Sequence, residues 1–302
     1  MIRPSYLKNG DHVGVVAPAG IVNEKDVDTA LGIFKEWGLK TITGKHLFER
    51  SGFFAGTDQQ RYEDFQAMLD DPDIKAIFCA RGGYGIIRII EKLDFTRFLK
   101  IPKWIIGYSD ITIFHILLNG YLKCESLHAI MPKNFQKAHQ DRLSLPTLKD
   151  ALFGEKLRYS AEKHDLNRPG QSAGELIGGN LSIIYSLQGT HLEIDTNDKI
   201  LFIEDIDEYI YHIDRMMMNL KLSGKLKNLK GLIVGGMTKI KHTTPDYDKT
   251  ADEVISEIIS EYNYPVIFGF QAGHIIPNHT LILGRNVNIK VSDQKTMIHF
   301  EE

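Results

Sequence analysis

The first half of the chain alternates short apolar runs with amphipathic stretches. Residues 12–17 (HVGVVA), 74–79 (IKAIFC) and 104–106 (WII) are rich in β-branched or aromatic side chains and predict buried strands. Residues 23–38 and 57–70 place apolar side chains at helical spacing and predict helices between these strands. Strands that alternate with helices in this way indicate a parallel sheet covered by helices.

The pattern changes after residue 145. Residues 146–170 are polar and lack a clear period, which predicts a linker or crossing segment. From residue 174 the chain is rich in strand patterns, of which 199–203 (KILFI) is the strongest. The predicted parts are a sheet domain, a linker and a β-rich domain, at residues 1–150, 151–173 and 174–302. The fold class is therefore α/β, with a parallel-sheet N-terminal domain and a smaller β-rich C-terminal domain.

Composition narrows the classes of function. The 302 residues are 43% hydrophobic and 25% charged, which suits an ordinary globular protein with a sizeable core. Lysine and arginine number 36 and aspartate and glutamate 39, so the formal net charge is −3. With this balance the chain lacks the excess of positive charge that would attract nucleic acid or anionic lipid. No apolar run is long enough to span a bilayer, so neither nucleic acid nor a membrane is an expected partner.

The N-terminus and the cysteines bear on the compartment. Residues 1–6 (MIRPSY) lack the apolar core of a signal peptide. Cys79 and Cys124 are too few for a disulfide framework and neither belongs to a CxxC pattern. Both are predicted to be buried thiols in a reducing compartment, and a cytoplasmic location is the expectation.

Residues 103–112 (KWIIGYSDIT) hold the first candidate for chemistry. An apolar strand ends at Gly107, Ser109 follows two residues later, and a helical pattern begins at Asp110. A serine on such a turn can be a nucleophile, because N–H groups at a helix start face a developing oxyanion. The alternative is that Ser109 only caps the helix. Ile111 stands where the G-x-S-x-G pattern has its second glycine, so this motif alone favours the cap.

Residues 81–85 (RGGYG) form a glycine-rich turn at the end of another predicted strand. The N–H groups of Gly82 and Gly83 could face an anion, but neither G-x-x-x-x-G-K-[ST] nor G-x-G-x-x-G is present. A plain strand-to-helix turn is as good an interpretation. Because ligands bind beyond the carboxyl ends of parallel strands, this turn and Ser109 are expected on one rim.

Two later strand ends supply an acid and a base. Glu204 ends the strand 199–203 and opens the acidic run 204–208 (EDIDE), which could also be a solvated loop. His274 is a candidate base because its ordinary pKa lies near 6.5, and the alternative is a histidine bonded to a loop carbonyl. Zinc binding through His274 and His279 is disfavoured by their spacing and by the lack of HExxH.

Several motifs together are more specific than any one of them. In chain order they are residues 81–85 (RGGYG), 107–112 (GYSDIT), 178–181 (GGNL), 204–205 (ED) and 273–274 (GH). This ordered set resembles the LD-carboxypeptidase family of serine peptidases, which includes muramoyltetrapeptide carboxypeptidases and the microcin C self-immunity proteins. The resemblance spans nearly the whole chain, from residue 14 to residue 284.

The resemblance implies a Ser–Glu–His triad. Ser109 would be the nucleophile, His274 the general base, and Glu204 the acid that orients the imidazole. It also implies a flavodoxin-like N-terminal domain and a homodimer. No metal or other cofactor is required.

The same resemblance implies a substrate and the groups that receive it. The substrate would be a murein tetrapeptide, from which the terminal D-alanine is removed during cytoplasmic recycling of the cell wall. The backbone N–H of Asp110, with that of Gly82 or Gly83, would form the oxyanion hole. Arg81 is the candidate that binds the terminal carboxylate, because a guanidinium pairs with a carboxylate in a bidentate way.

Two other functions stay open at this point. One is a hydrolase that detoxifies peptidyl-nucleotide antibiotics, as the microcin C immunity branch does. The other is a non-catalytic protein whose two lobes close on an anion held by Gly82 and Gly83. Residues 128–132 (HAIMP) depart from the His-Gly-Pro-Met type segment of many family members, which leaves the substrate's details open.

Overall fold

The computed structural model describes residues 1–138, 141–245, 247–292 and 294–301. The strands are β1 His12–Val16, β2 Lys40–Thr43, β3 Ile74–Cys79, β4 Trp104–Gly107, β5 Ser126–His128, β6 Arg158–Ala161, β7 Gly170–Asn180, β8 Ile200–Ile206, β9 Gly231–Thr238, β10 Val266–Ile267, β11 Leu281–Leu283, β12 Asn286–Val291 and β13 Thr296–Phe300. The α-helices are α1 Glu24–Glu36, α2 Asp58–Asp70, α3 Thr96–Lys100, α4 Thr112–Ile116, α5 Phe135–Ala138, α6 Ser144–Phe153, α7 Leu181–Ser186, α8 Ile210–Leu222 and α9 Ala251–Ile258.

The first sheet has the strand order β11-β5-β4-β3-β1-β2. Strands β1 to β5 run parallel in the flavodoxin-like order 2-1-3-4-5, as the alternating pattern and the family resemblance predicted. Strand β11 pairs antiparallel with β5, so a segment from the second half of the chain closes one edge of this sheet. The carboxyl ends of β3 and β4, which are neighbours, carry the glycine turn and Ser109.

The second sheet has the order β10-β9-β8-β7-β12-β13-β6. Strands β7 to β10 are parallel, whereas β12, β13 and β6 continue the sheet antiparallel. Glu204 lies in β8, which pairs with β7, and β7 ends at Asn180. Residues 270–272 continue alongside β9, with hydrogen bonds from Phe270 N to Val234 O at 3.0 Å and from Gly236 N to Ala272 O at 3.0 Å. This course brings the chain to His274.

Apolar packing joins the two halves. One core cluster contains Phe114 of α4 together with Ile184 of α7 and Leu201 of β8, all of them buried. The first of these residues belongs to the sheet domain and the other two to the β-rich part. The helix after Ser109 therefore packs directly on the part of the chain that carries Glu204.

The prediction of an irregular segment at 146–170 is wrong over part of its length. Helix α6 covers Ser144–Phe153, and β6 at Arg158–Ala161 forms the edge of the second sheet. Pro146 lies in the first turn of α6, where its missing N–H group is not needed. Strand β6 is too short for its alternation to stand out from sequence. The division of the chain at residues 150 and 174 stays a prediction.

Along the described residues, no helix combines the length and the apolar character that crossing a membrane requires.

Candidate active site

The turn after β4 holds Ser109 in an unusual backbone conformation. Its φ is +68°, in the left-handed region that non-glycine residues enter at a cost of roughly 1–3 kcal/mol. The side chain is half-buried, and the following helical turn starts at Ser109 itself, without a side-chain capping hydrogen bond. Ser109 is therefore not a helix cap. A strained serine between a strand and a helix is the geometry of a nucleophile elbow.

Ile111 explains how the turn forms without a second glycine. A Cβ atom on Gly107 would lie 2.6 Å from Ile111 Cγ1, so the isoleucine packs onto the bare backbone of Gly107. Gly107 is thus required because Ile111, which stands where the pattern has its second glycine, packs against it. The departure from G-x-S-x-G leaves the turn intact.

The glycine turn after β3 touches Ser109 directly. A Cβ atom on Gly82 would lie 2.8 Å from Ser109 Cβ and 3.0 Å from Ser109 Oγ. Gly83 is exposed and has a φ of +115°. The two motifs that sequence placed on one rim are therefore in contact, and the main chain at 82–83 borders the Ser109 hydroxyl.

The side chain of Asp110 ties the same two turns together. Its carboxylate is buried and accepts a hydrogen bond from Ile86 N at 3.0 Å, just beyond the glycine turn. Burial raises the pKa of Asp110 to about 6. The sequence suggested a role only for the backbone N–H of this residue. The side chain adds a link between the start of the helix after Ser109 and residues 81–85.

Glu204 and His274 form a buried pair. Glu204 is fully buried near the end of β8, and its Oε2 accepts a hydrogen bond from His274 Nδ1 at 2.7 Å. Because a carboxylate accepts, Nδ1 carries the proton and Nε2 of the neutral ring is left as the basic nitrogen. The partner of the His274 ring is therefore a carboxylate and not the loop carbonyl of the alternative.

Gly273 makes this pair possible. A Cβ atom there would lie 2.6 Å from Glu204 Oε2, and the φ of Gly273 is +105°. The glycine before the histidine lets the carboxylate reach both the ring and the main chain of the next residue. The dipeptide Gly273-His274 is therefore a single structural unit with Glu204.

The pKa of His274 is raised above 6.5. Burial by itself lowers it, but attraction to Glu204 and the hydrogen bond that the ring donates to that carboxylate outweigh the burial, with a smaller contribution from Asp205. Lys239 acts in the opposite direction. The raised pKa reflects a ring that is stabilised when it carries a second proton, as a general base is during a reaction.

Tyr108 places His274 beside the Ser109 turn. The ring of Tyr108, the residue before Ser109, meets the His274 ring edge to face with centroids 4.7 Å apart. Among the described residues, no hydrogen bond joins Ser109 to His274. In unliganded enzymes such bonds are often long and tighten only when substrate is present.

Asn180 connects the two halves of the site, a role that sequence reasoning missed. Its N–H donates to Thr112 Oγ1, at the start of α4, at 2.9 Å. Its side-chain Nδ2 donates to Glu204 Oε1 at 3.3 Å and to Asp205 Oδ1 at 3.2 Å. The pattern 178–180 (GGN) at a strand end was the available signal, but nothing local indicated these partners.

The two adjacent carboxylates face different groups. Asp205 accepts hydrogen bonds from the N–H of Ser182 at 2.8 Å and from its hydroxyl at 2.9 Å, whereas Glu204 faces His274. Burial, and then repulsion from Glu204, raises the pKa of Asp205 to about 6. The acidic run 204–208 is therefore not simply a solvated loop, because its first two members are buried.

Two further histidines lie behind the Ser109 turn. His115 is fully buried and bridges Gly107 O at 2.9 Å and Ser126 Oγ at 2.9 Å. Burial lowers the pKa of His115 to about 4, so the ring is neutral. His128, the first residue of the divergent segment 128–132, packs against Tyr108 with ring centroids 5.8 Å apart. No sequence pattern singled out His115.

Arg81 and His279 have partners other than Ser109, Glu204 and His274. Arg81 is half-buried beside the glycine turn, and its Nη1 donates to Ile21 O at 2.7 Å. His279 packs its ring against Tyr159, with centroids 4.5 Å apart. In the ranges that the structure describes, no cluster of three or more His, Cys, Asp or Glu side chains could hold a metal ion.

Comparison with known proteins agrees with this architecture. The family model described as the LD-carboxypeptidase N-terminal domain matches residues 13–129, and that described as the C-terminal domain matches residues 173–289. A relative from Bacillus subtilis, named "Probable murein peptide carboxypeptidase", is 35% identical over 98% of this chain and 94% of its own length.

Two further matches extend the comparison. The crystal structure of a muramoyltetrapeptide carboxypeptidase from Oxalobacter formigenes superposes with a TM-score of 0.87 at 27% identity, covering 96% of this chain and 99% of that one. The microcin C7 self-immunity protein MccF of Escherichia coli is 27% identical over 95% of both chains. The chain therefore belongs to the LD-carboxypeptidase family of peptidases, and it is a hydrolase.

Proposed function

We propose that this protein is a serine carboxypeptidase that hydrolyses the L–D amide bond of murein tetrapeptides and releases the terminal D-alanine. The observation that carries the proposal is the buried Glu204–His274 hydrogen bond of 2.7 Å beside a serine in left-handed conformation. The names of the Bacillus and Oxalobacter relatives supply the substrate class. The proposed activity removes one residue from the end of a peptide.

In the first step, Ser109 Oγ attacks the scissile carbonyl carbon. Its proton passes to His274 Nε2, and the resulting imidazolium is stabilised by Glu204. The carbonyl oxygen becomes an oxyanion that the backbone N–H of Asp110, together with that of Gly82 or Gly83, would stabilise. The position of the Gly82–Gly83 turn against Ser109 supports this assignment, and the exposure of Gly83 favours it as the donor.

In the second step, the C–N bond breaks and the proton on His274 moves to the leaving amine of D-alanine. Water then attacks the acyl-enzyme, His274 accepts its proton, and the Ser109 hydroxyl is restored as the shortened peptide leaves. Arg81 is proposed to bind the terminal carboxylate. Because one of its guanidinium nitrogens is already bonded to Ile21 O, the carboxylate would pair with the rest of the group.

The compartment and assembly are part of the same proposal. Cys79 and Cys124 are buried and unpaired, which suits the reducing cytoplasm in which cell-wall peptides are recycled. A homodimer is proposed from the family resemblance.

A second candidate function is hydrolysis of peptidyl-nucleotide antibiotics, favoured by the similarity to MccF over 95% of the chain. A non-catalytic anion-binding protein is less favoured, because it leaves the Glu204–His274 pair without a role.

The decisive experiment compares Ser109→Ala with wild type on a purified murein tetrapeptide. Because members of a triad act as a unit, kcat is expected to fall by about 10⁴ or more. Ser160→Ala, an exposed serine in β6, is the matched control and should keep the wild-type rate. Retained activity in Ser109→Ala would exclude the mechanism. Turnover of a peptidyl-nucleotide but not of the tetrapeptide would favour the second candidate.

A further inference from the structure

The proposed oxyanion hole takes its N–H groups from two separate turns. The N–H of Asp110 belongs to the turn after β4, and that of Gly82 or Gly83 belongs to the turn after β3. Such donors stabilise an oxyanion only when each of them lies about 2.7–3.1 Å from it. The distance between the two turns must therefore be fixed by contacts elsewhere in the structure.

The side chain of Asp110 makes one of these contacts. Its Oδ2 accepts a hydrogen bond from Ile86 N at 3.0 Å, and only 1% of the residue is exposed, so water does not compete for this bond. Burial raises the pKa of this carboxyl, and the N–H groups of Ile86 and Gly85 act in the opposite direction. The residue that offers its own N–H to the hole thus holds, through its side chain, the end of the turn that carries the other donor.

Arg61 holds the same turn from its other side. Its Nη1 donates to Gly85 O at 2.9 Å and to Pro18 O at 2.7 Å, and the arginine is 1% exposed. The φ of Gly85 is +142°, and a Cβ atom there would lie 2.6 Å from Arg61 Nη1, so glycine is required at this close approach. The turn is therefore held at residue 85 between a buried anion and a buried cation.

The beginning of the turn is fixed by different contacts. Gly20 N donates to Gly82 O at 3.0 Å, and the bare backbone of Gly82 packs against Ser109. Residues 83–85 connect this fixed point to the one that Asp110 and Arg61 hold. The directions of the N–H groups at residues 82 and 83 therefore depend on both ends of the turn.

This arrangement is costly for stability alone. Within the part of the chain that the structure describes, Asp110 Oδ1 and Arg61 Nε are buried and have no hydrogen-bond partner. Unpaired buried polar atoms oppose folding, and most strongly when they belong to charged groups. Apolar side chains of similar volume would avoid this cost. A buried carboxylate next to the Ser109 turn is therefore better explained by a demand of the reaction on the geometry of the turns.

We propose that the side chain of Asp110 positions the oxyanion hole, by fixing the glycine turn so that its N–H and the N–H of Asp110 face the same oxygen. The carboxylate touches neither the substrate nor the reacting atoms and acts through the backbone of residues 82–86. This inference rests on the proposed serine carboxypeptidase function and adds to it a positioning residue.

The test compares wild type with Asp110→Asn, which keeps the size of the side chain and removes its charge. A neutral amide oxygen makes a hydrogen bond about half as strong as a carboxylate does, so kcat on murein tetrapeptide should fall by roughly tenfold. KM should stay unchanged, because the interaction that is lost acts in the transition state. Asp110→Ala should lower kcat by about a hundredfold, the loss associated with a misplacement of 1 Å.

A tripeptide aldehyde that matches the acyl part of the substrate gives a second measurement. The Ser109 O–H adds across its C=O bond, and the oxygen of the resulting hemiacetal lies in the oxyanion hole, so the adduct resembles the transition state. Its affinity should fall in Asp110→Asn by the same factor as kcat/KM. A purely structural loss would lower the concentration of active enzyme and leave this dissociation constant unchanged.

Asp64→Asn is the matched control. Asp64 is also buried, at 6% exposed, and its Oδ2 accepts a hydrogen bond from His46 N at 2.8 Å, in the loop after the edge strand β2. This variant should keep the wild-type kcat, KM and aldehyde affinity. An Asp110→Asn enzyme with wild-type aldehyde affinity, or one in which only KM changes, would overturn the inference while the carboxypeptidase function stands. Wild type that neither cleaves the tetrapeptide nor binds the aldehyde would overturn both.

Discussion

One carboxylate oxygen of Glu204 accepts two hydrogen bonds from His274. The ring Nδ1 lies at 2.7 Å and the main-chain N at 3.1 Å from the same Oε2. The second bond fixes the backbone from which the ring projects, so that both the position and the tilt of the imidazole depend on this one oxygen. Glu204 therefore orients His274 more completely than a ring contact alone would.

Replacing Glu204 with glutamine should abolish most of the activity. An amide can present its N–H₂ to the ring and so favour the wrong tautomer, and such a change lowers kcat by about 10⁴ in a comparable triad. The measurement is kcat on murein tetrapeptide, with circular dichroism as the check on folding. Glu208→Gln is the matched control, because Glu208 also pairs with a histidine, His212, but outside the site. A Glu204→Gln enzyme with near-normal kcat would contradict the assigned role.

The pH profile should report the raised pKa of His274. His274 must be neutral to accept the Ser109 proton, so kcat/KM is expected to fall as the pH drops through a midpoint above 6.5. The charged groups that face the ring are Glu204 and Asp205, which raise its pKa, and Lys239, which lowers it. Asp205→Asn removes one negative charge and should move the acid limb to lower pH. An acid limb that stays at the wild-type pH would show that the charge of Asp205 does not act on His274.

Adding one methyl group at Gly82 should displace Ser109, the proposed nucleophile. The new Cβ would lie 2.8 Å from Ser109 Cβ and 3.0 Å from its Oγ, closer than such atoms normally approach. Gly82→Ala is therefore expected to lower kcat by at least about 10², the loss associated with misplacement by 1 Å. Gly32→Ala in α1 is the control, because a Cβ there meets nothing within 4 Å. Equal activity of the two variants would exclude a close role for the glycine turn.

His115 is expected to stabilise the Ser109 turn while its ring stays neutral. His115→Ala removes one hydrogen bond from Gly107 O, which still accepts from Ala129 N at 3.2 Å, and one from Ser126 Oγ, which still accepts from Asn119 Nδ2 at 3.4 Å. The loss should cost about 0.5–1.5 kcal/mol of folding free energy for each hydrogen bond removed. The measurement is the denaturant midpoint, together with kcat. His191→Ala, an exposed histidine paired with Glu91, should change neither. An unchanged midpoint in His115→Ala would refute this role.

Local patterns explain how much of the fold could be read in advance. Strands β1, β3, β4 and β8 are apolar and β-branched, and helices α1 and α2 follow a 3.6-residue period, so each could be predicted. Helix α2 also has its capping box, in which Gln60 N donates to Thr57 Oγ1 at 3.2 Å. Strand β6 was not predictable, because a short strand carries little sequence pattern. The pairing of β11 with β5 was not predictable either, because the partner of a strand depends on the assembled sheet.

The sequence by itself determined where reactive side chains fall relative to strands. Ser109, Glu204 and His274 follow or end apolar runs, and the order of their motifs identified the family, which the comparisons confirm. Their catalytic roles stay predictions until the variants are measured. Periodicity and turn chemistry are local, so they can place a residue on an element but not beside another element.

Only the tertiary structure decided which of these residues meet. Glu204 and His274 are 70 positions apart, and Asn180 is 68 from Thr112. Their contacts depend on which strands are neighbours and on glycines that leave room for close approach, such as Gly82 against Ser109 and Gly273 against Glu204. The low pKa of His115, behind the Ser109 turn, was also decided by the tertiary structure. Burial sets this pKa, and burial is a property of the assembled core.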